Sequence, residues 1–407
     1  MVWLVLFCTS FNKIIAEKMH ATIASLKNTL SLVREPTSSC MLASSINGYI
    51  MDDIAYWLAC NRIVGLGPRR IARCRKIWPD LLGLFAASAS QLRALSLPDS
   101  VIAAIQTFDF ATIEPDLAWL AGPNHHILRL GTSIYPSLLA EIPDPPLILY
   151  AQGDLDCLTQ PHLSIVGTRQ PSRSGAETAW HFAHELATSG LTIVSGMALG
   201  IDAQAHRGCL AAGGKTIAVL GTGIDVIYPR RHQELAHQIA ERGLLLSEFP
   251  LSSPPNAHHF PQRNRLIAGL SSALLVVEAA LRSGSLITAR FAVEQNRDVF
   301  AVPGSIYHHQ SRGCHHLLQQ GACLVTSPQE VYTEMGLGDG IFTKNISISP
   351  EICDNTQFLQ YICFELTTVD QIIERTGFSV DEVLCKVVEL ELQGKIQVVP
   401  GGYMRCR

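Results

Sequence analysis

The residues with types and spacing suited to chemistry gather between Ser164 and Gly304. The first group is Gly167-Thr-Arg-Gln-Pro-Ser-Arg-Ser-Gly175, which follows an apolar run and leads into a helical pattern. Glycine lets backbone N–H groups approach a ligand, and a helix start favours an anion. Within this loop of Gly167, Thr168 and Gly175, Arg169 and Arg173 offer guanidinium groups that pair two-pronged with phosphate oxygens, and Ser172 and Ser174 offer hydroxyls. The chemistry implied is phosphate binding; the plainer alternative is a structural strand-to-helix turn. Ser283, Gly284 and Ser285 precede a second helical pattern, with Ser285 and Thr288 as donors to an anion, or as an ordinary N-cap. Arg263, Asn264 and Arg265 are expected in a loop entering a helix, and Lys215 as a cation at the site edge. Three such loops on one sheet edge would line a groove for several phosphates, with Phe260 as a stacking face or as packing.

Other chemistries are excluded by what those motifs lack. No G-x-G-x-x-G follows a strand, so a dinucleotide site is not expected. Gly214-Lys215-Thr216 has Cys209 where a Walker A loop needs its leading glycine, and it leads into a strand. The His308, His309, Cys314, His315, His316, Cys323 cluster matches no usual zinc spacing, and no G-x-S-x-G elbow is present. Neither cofactor nor metal is expected. Glu278 and Asp202 are acids near the site and read as loop or helix braces before general bases.

The elements that must position these residues alternate. Expected strands are Leu147–Ala151, Leu163–Val166, Thr192–Val194, Thr216–Leu220, Leu244–Ser247, Ala273–Val277, Val299–Val302 and Cys323–Val325, with helical patterns between them. That order predicts an α/β fold: a Rossmann-like, doubly wound, mostly parallel sheet over residues 119–335. Residues 52–118 read as short helices, in which Val64-Gly-Leu-Gly-Pro68 beside Arg62, Arg69, Arg70, Arg73, Arg75 and Lys76 suggests either a helix-hairpin-helix contact to phosphate or a solvated basic face. Residues 336–354 read as a linker, and 355–407 as a winged helix built from helical patterns and a short hairpin.

Hydrophobic residues make up 47% of the 407-residue chain and charged ones 16%, enough apolar surface for a large core and too little charge for disorder. The net charge of −4 gives no global attraction to polyanions, so any such site must be local. Residues 162–325 carry 13 basic against 10 acidic side chains, whereas 326–407 carry 6 against 12. Twelve cysteines without a C-x-x-C pair fit free thiols in a cytoplasmic protein. The apolar run Met1–Phe11 lacks the basic lead of a signal peptide and is too short to span a membrane, so residues 1–50 are read as an extension ahead of a physiological start at Met51.

Taken together, the segments Ile165-Val-Gly-Thr-Arg169, Ser195-Gly-Met-Ala-Leu-Gly-Ile-Asp202, Thr216-Ile-Ala-Val-Leu-Gly-Thr-Gly223, Phe260-Pro-Gln-Arg-Asn-Arg265, Ser283-Gly-Ser-Leu-Ile-Thr288 and Val299-Phe-Ala-Val-Pro-Gly304 resemble the DNA-processing protein A family (DprA, also called Smf). The resemblance runs from about Met51 to the end. It implies a homodimer that binds single-stranded DNA, protects incoming strands and loads RecA recombinase in natural transformation, with Arg169 and Lys215 facing DNA. Two departures stand out: Ser252-Ser253 where the family often has Gly-Thr, and His315 where it usually has asparagine. The competing readings are a nucleotide phosphoribohydrolase on a related sheet, whose Pro-Gly-Gly-x-Gly-Thr helix entry is absent here, and a regulator acting through the winged helix. Against the latter, the expected recognition helix carries Asp381, Glu382, Glu389 and Glu391 against Lys386, which repels a duplex.

Overall fold

The computed structural model describes residues 53–337, 358–364 and 366–406; the 1–50 extension and most of the 336–354 linker lie outside these. The strands of the core are β1 (His125–Arg129), β2 (Ile148–Gly153), β3 (His162–Val166), β4 (Thr192–Ser195), β5 (Thr216–Val219), β6 (Leu244–Ser247), β7 (Ala273–Val276), β8 (Asp298–Ala301) and β9 (Cys323–Leu324). They form one sheet in the order β1-β2-β6-β5-β4-β3-β7-β8-β9. β2 pairs antiparallel with β1 and β6; the remaining pairs are parallel. From β3 the chain winds outward to β4, β5 and β6 on one side, then returns to β7, β8 and β9 on the other. The topological switch point therefore lies between the carboxyl ends of β3 and β7.

Helices α1 (53–62), α2 (Pro68–Arg75), α3 (Leu82–Ala86), α4 (Ala89–Ala94), α5 (Asp99–Gln106) and α6 (Glu114–Leu120) form the N-terminal layer. After the short α7 (Ser137–Ala140) come α8 (Arg173–Thr188), α9 (Ile201–Ala211), α10 (Gln233–Arg242), α11 (His259–Leu270), α12 (Gly284–Glu294), α13 (Arg312–Gln319) and α14 (Pro328–Glu334). Along β3, Leu163 and Ile165 face α8 and α9, where Phe182, Leu186, Ile201 and Ala205 bury against them. Val166 faces the opposite side, under Leu266, Leu270 and Ala289 of α11 and α12. Both faces are covered, which is why the strands read as continuous apolar runs without a visible period of two. Each such buried aliphatic side chain contributes about 1.5–3 kcal/mol.

The N-terminal layer is pinned to the sheet by a buried polar cluster. Asp116 of α6 is fully buried, accepts from Arg62 of α1 at 2.5 Å and from the Tyr150 hydroxyl of β2. At the other end of the chain, α15 (Val369–Thr376), α16 (Val380–Leu392) and the hairpin β10 (Ile396–Val399) and β11 (Gly402–Arg405) build the winged helix around Phe358, Ile372, Val383, Val387 and Leu390. Thr368 and Ser379 each close a capping box at the starts of α15 and α16.

Most expected strands are present with shifts of one or two residues at their ends. The antiparallel edge strand β1 was not anticipated. α11 begins at His259, so Arg263, Asn264 and Arg265 stand inside a helix and not in a loop before one. Pro261 sits in the first turn, where its missing N–H costs nothing.

Candidate nucleic-acid interface

Loops from the carboxyl ends of β3, β4, β5 and β7, with α11 and the start of α12, enclose an open groove of about 1190 Å³. Arg169 is exposed on its wall, its guanidinium carbon 5.7 Å from the centroid of the Phe260 ring. Tyr228 adds a second aromatic surface, 45% exposed and 5.5 Å from Phe260 centroid to centroid. Beside it, Arg230 is exposed in the turn that follows β5, and Arg282 is exposed on the rim contributed by the β7 loop. Among the described residues that line the groove, Asp202 is the one carboxylate, and it is buried. A wall of cations and aromatic faces with so little opposing charge suits a chain of phosphates carrying flat bases.

The start of α12 opens onto this groove. Ser283 caps it, its Oγ accepting from the Ser285 N–H at 3.3 Å, and no acidic residue stands in the first turn. A side chain at Gly284 would meet nothing, so backbone and solvent are in direct contact there. Ser285 and Thr288 are buried and line the groove floor. The four residues thus stand together at the start of α12, with Ser283 as its N-cap.

The start of α8 is different, and it alters the expected role of Arg173, Ser174 and Gly175. The Glu278 carboxylate already occupies it, accepting from the Ser172 N–H at 2.9 Å and the Ser172 hydroxyl at 2.5 Å. Arg173 turns away from the groove and lies 3.3 Å over the ring of Phe364 in the winged helix. Ser174 and Gly175 line a separate cavity of about 480 Å³ with Glu278, Gly304 and His308. In the same loop, Thr168 is buried, with its N–H donating to the Glu278 carbonyl at 2.7 Å and its Oγ1 accepting from the Gln170 N–H at 3.2 Å. Gly167 lines the groove as backbone; a Cβ there would fall 2.6 Å from Ile201. Of this loop, Arg169 is the cation presented to the groove.

Lys215 is also placed differently from expectation. It precedes β5, at the amino end of the sheet, whereas the groove lies beyond the carboxyl ends. There it pairs with Asp154 at 3.0 Å and lies 3.9 Å from Asp156, and its hydrogen bond holds the Asp154 carboxyl below the usual carboxylate range. Arg230, which follows β5, is exposed two residues beyond the groove-lining Tyr228.

The three expected site residues of α11 divide. Arg263 is buried under the groove and donates to the carbonyls of Gly196, at 2.7 Å, and Val219. Burial draws its pKa down to about 10, with Asp202 opposing, so it remains a cation at neutral pH that holds the ends of β4 and β5. Asp202 in turn accepts from the N–H groups of Gly196 and Ala198 at 3.1 and 3.3 Å; burial pushes its carboxyl up, against the pull of Arg263. Asn264 lines the groove and donates to the Gly284 carbonyl at 3.4 Å. Arg265 points elsewhere, to Glu248 and to the Asp144 carbonyl at 2.5 Å. Both acids that were open to a general-base reading are therefore braces. His315, at the departure noted above, ties its Nε2 to the Gly304 carbonyl at 2.9 Å and so anchors the loop after β8. Tyr228 and Arg282 were missed as groove-lining residues, and with them the exposed Arg230; the signal available was an aromatic and a cation flanking Pro229 in the segment between β5 and α10.

Comparison with known proteins agrees with this architecture. A family model described as DNA recombination-mediator protein A matches residues 126–336, and one described as DprA winged helix domain matches residues 354–402. Protein Smf of Escherichia coli is 46% identical over 309 residues, covering 74% of this chain and 83% of that protein. Protein Smf of Synechocystis is 35% identical over 396 residues, covering 85% of this chain and 97% of that one. The X-ray structure of DNA processing protein A from Streptococcus pneumoniae superposes with a TM-score of 0.62 at 38% identity, covering 69% of this chain and 97% of that one. Among the described residues no helix is long and apolar enough to cross a membrane, and no group of three or more His, Cys, Asp or Glu could hold a metal ion. The chain belongs to the DprA/Smf family.

Proposed function

We propose that this protein binds single-stranded DNA in the groove over β3, β4, β5 and β7 and, as a homodimer in the cytoplasm, protects incoming strands and loads RecA recombinase on them in natural transformation. The observation that carries this reading is the Arg169 guanidinium over the Phe260 ring, with Tyr228 packed against that ring, beside the open start of α12. Phosphates sit against Arg169, Arg230, Arg282 and the α12 N–H groups, with Asn264 beside them, while bases stack on Tyr228 and Phe260. Unpaired bases reach those rings; the same bases in a duplex do not. We read residues 119–335 as the DNA-binding core, flanked by a helical domain at 52–118 and the winged helix at 355–407.

The role is binding, not turnover. A phosphoribohydrolase would need its substrate phosphate at the switch point, and there Glu278 stands on the α8 start. The test is fluorescence anisotropy with a labelled oligothymidylate and its duplex across a chloride series. Tight, salt-dependent binding to the single strand with weak binding to the duplex is expected. Equal affinity for both, or release of free base from nucleoside monophosphates, would overturn the reading.

A further inference from the structure

In a doubly wound sheet the anion of a small nucleotide is received outside the carboxyl ends of the strands at the switch point, on a helix start. Here that place lies between β3 and β7, at the start of α8. It is filled from within. Glu278 follows β7 and is 8% exposed. Its carboxylate takes the Ser172 N–H at 2.9 Å and the Ser172 hydroxyl at 2.5 Å, and Ser172 Oγ accepts from the Gly175 N–H at 2.9 Å. The approach is so close that a Cβ at Gly175 would lie 2.3 Å from the carboxylate carbon. The backbone of the same residue holds the other end of the loop, its carbonyl accepting from the Thr168 N–H at 2.7 Å. His308 is a titratable neighbour on the far side, with Nδ1 3.9 Å from Glu278 Oε1, and the buried Cys314 thiol is another. The adjoining cavity of about 480 Å³ has room for a nucleoside, but its anion seat is taken.

We infer that Glu278 is a positioning residue that takes the place of a nucleotide phosphate, closing the switch point to mononucleotides and fixing Arg169 toward the groove for a polymer backbone. This rests on the reading of the groove as a single-strand site. One residue clamps both ends of the Thr168–Ser172 segment, and Arg169 is the residue next to the first clamp. Specificity for polymer over monomer then follows from a carboxylate that repels one phosphate and, through the loop it holds, aims a guanidinium at others.

The experiment uses the full chain carrying Glu278→Ala, Glu278→Ser or Glu278→Gln, with inorganic phosphate and adenosine monophosphate followed by calorimetry and thermal shift. The native chain and Glu278→Gln, whose amide still fills the seat, are expected to take up neither. Glu278→Ala and Glu278→Ser are expected to bind phosphate in the millimolar range and to melt higher in its presence. Affinity for a labelled oligothymidylate is expected to fall by about tenfold in both vacated variants, and to recover in part with acetate at constant ionic strength. Arg169→Ala, as the control, loses DNA without gaining phosphate. A vacated variant that melts cooperatively and takes no phosphate overturns the inference, as does a native chain that binds the monophosphate or a Glu278→Gln variant that takes up phosphate. Should the native chain fail to bind DNA, the groove reading falls, while phosphate uptake by the vacated variants still decides the role of Glu278.

Discussion

Arg169→Ala is the most direct test of the groove, because the structure separates this cation from the others around it. Arg263 is spent on two backbone carbonyls, Arg265 on Glu248, and Arg173 on Phe364. Arg169 is exposed, with the Phe260 ring 5.7 Å away as its neighbour. Its removal leaves no buried partner unsatisfied, so the melting temperature should hold. A charge-assisted hydrogen bond contributes about 1.5–3 kcal/mol, and each factor of ten in affinity is about 1.4 kcal/mol, so a loss of about ten- to hundredfold is expected. One phosphate contact fewer should also flatten the plot of log affinity against log salt by about 0.7 for a single strand.

Lys215→Ala is the matched comparison. The resemblance to the family led to the expectation that this lysine faces DNA; its place at the amino end of β5, paired with Asp154, leads to the opposite one. Anisotropy on an oligothymidylate between low and moderate chloride reads both quantities for both variants. The geometric argument is refuted if Lys215→Ala costs as much as Arg169→Ala, or if Arg169→Ala leaves affinity and salt slope unchanged with the fold intact.

Three further outcomes follow from the same coordinates. Phe260→Ala and Tyr228→Ala should each weaken single-strand binding by about 1–3 kcal/mol with little change in salt slope, because stacking releases no counterions; anisotropy at two chloride concentrations separates this from loss of a cation. Asp116→Ala should lower stability by about 3–5 kcal/mol in urea unfolding, since it leaves Arg62 and Tyr150 without the buried carboxylate they share. His206 is fully buried against Thr216 Oγ1 at 2.8 Å, and burial pulls its pKa down to about 3. The folded state thus resists taking a proton that the unfolded chain accepts near pH 6.5; the stability is present above that value and is lost as pH falls toward 3. His206→Gln should flatten the acid limb of the melting profile, and an unchanged limb would remove His206 from its cause.

Much of the sheet was legible because its strands are short apolar runs ended by glycine or polar residues, a pattern that burial on both faces enforces. β1 was not, because His125-His-Ile-Leu-Arg129 is an edge strand with just two buried positions, Ile127 and Leu128. The start of α11 was misplaced because Pro261 reads as a break, although a proline in the first turn of a helix is tolerated. That shift turned Arg263 and Arg265 from imagined loop contacts into helix residues facing inward. Glu278 was legible as a brace, but not as the group on the start of α8, since it stands 106 residues from Ser172 and the β3–β7 pairing brings the two together. Lys215 was within reach of sequence reasoning. In a parallel sheet that gathers its site at carboxyl ends, a residue just before a strand belongs to the other side.

The winged helix brings the same distinction to the acidic end of the chain. Its helix α16 exposes Asp381, Glu382, Glu389 and Glu391, and Val380, Leu384, Val388 and Leu392 are exposed along it at four-residue intervals. What ties the domain to the core is a contact of a different kind. The ring of Phe364 has the guanidinium carbon of Arg173 at 3.3 Å and that of Arg405 at 5.1 Å from its centroid, and Arg405 reaches Glu177 on α8 at 3.8 Å. Two cations on one half-buried ring attach the domain to the core by cation–π attraction, with Arg173 still exposed. Arg173 is therefore an interdomain residue. Its neighbour four positions earlier, Arg169, is the loop's contribution to the groove, and the division of the two is set by Glu278, which grips the backbone between them at Ser172.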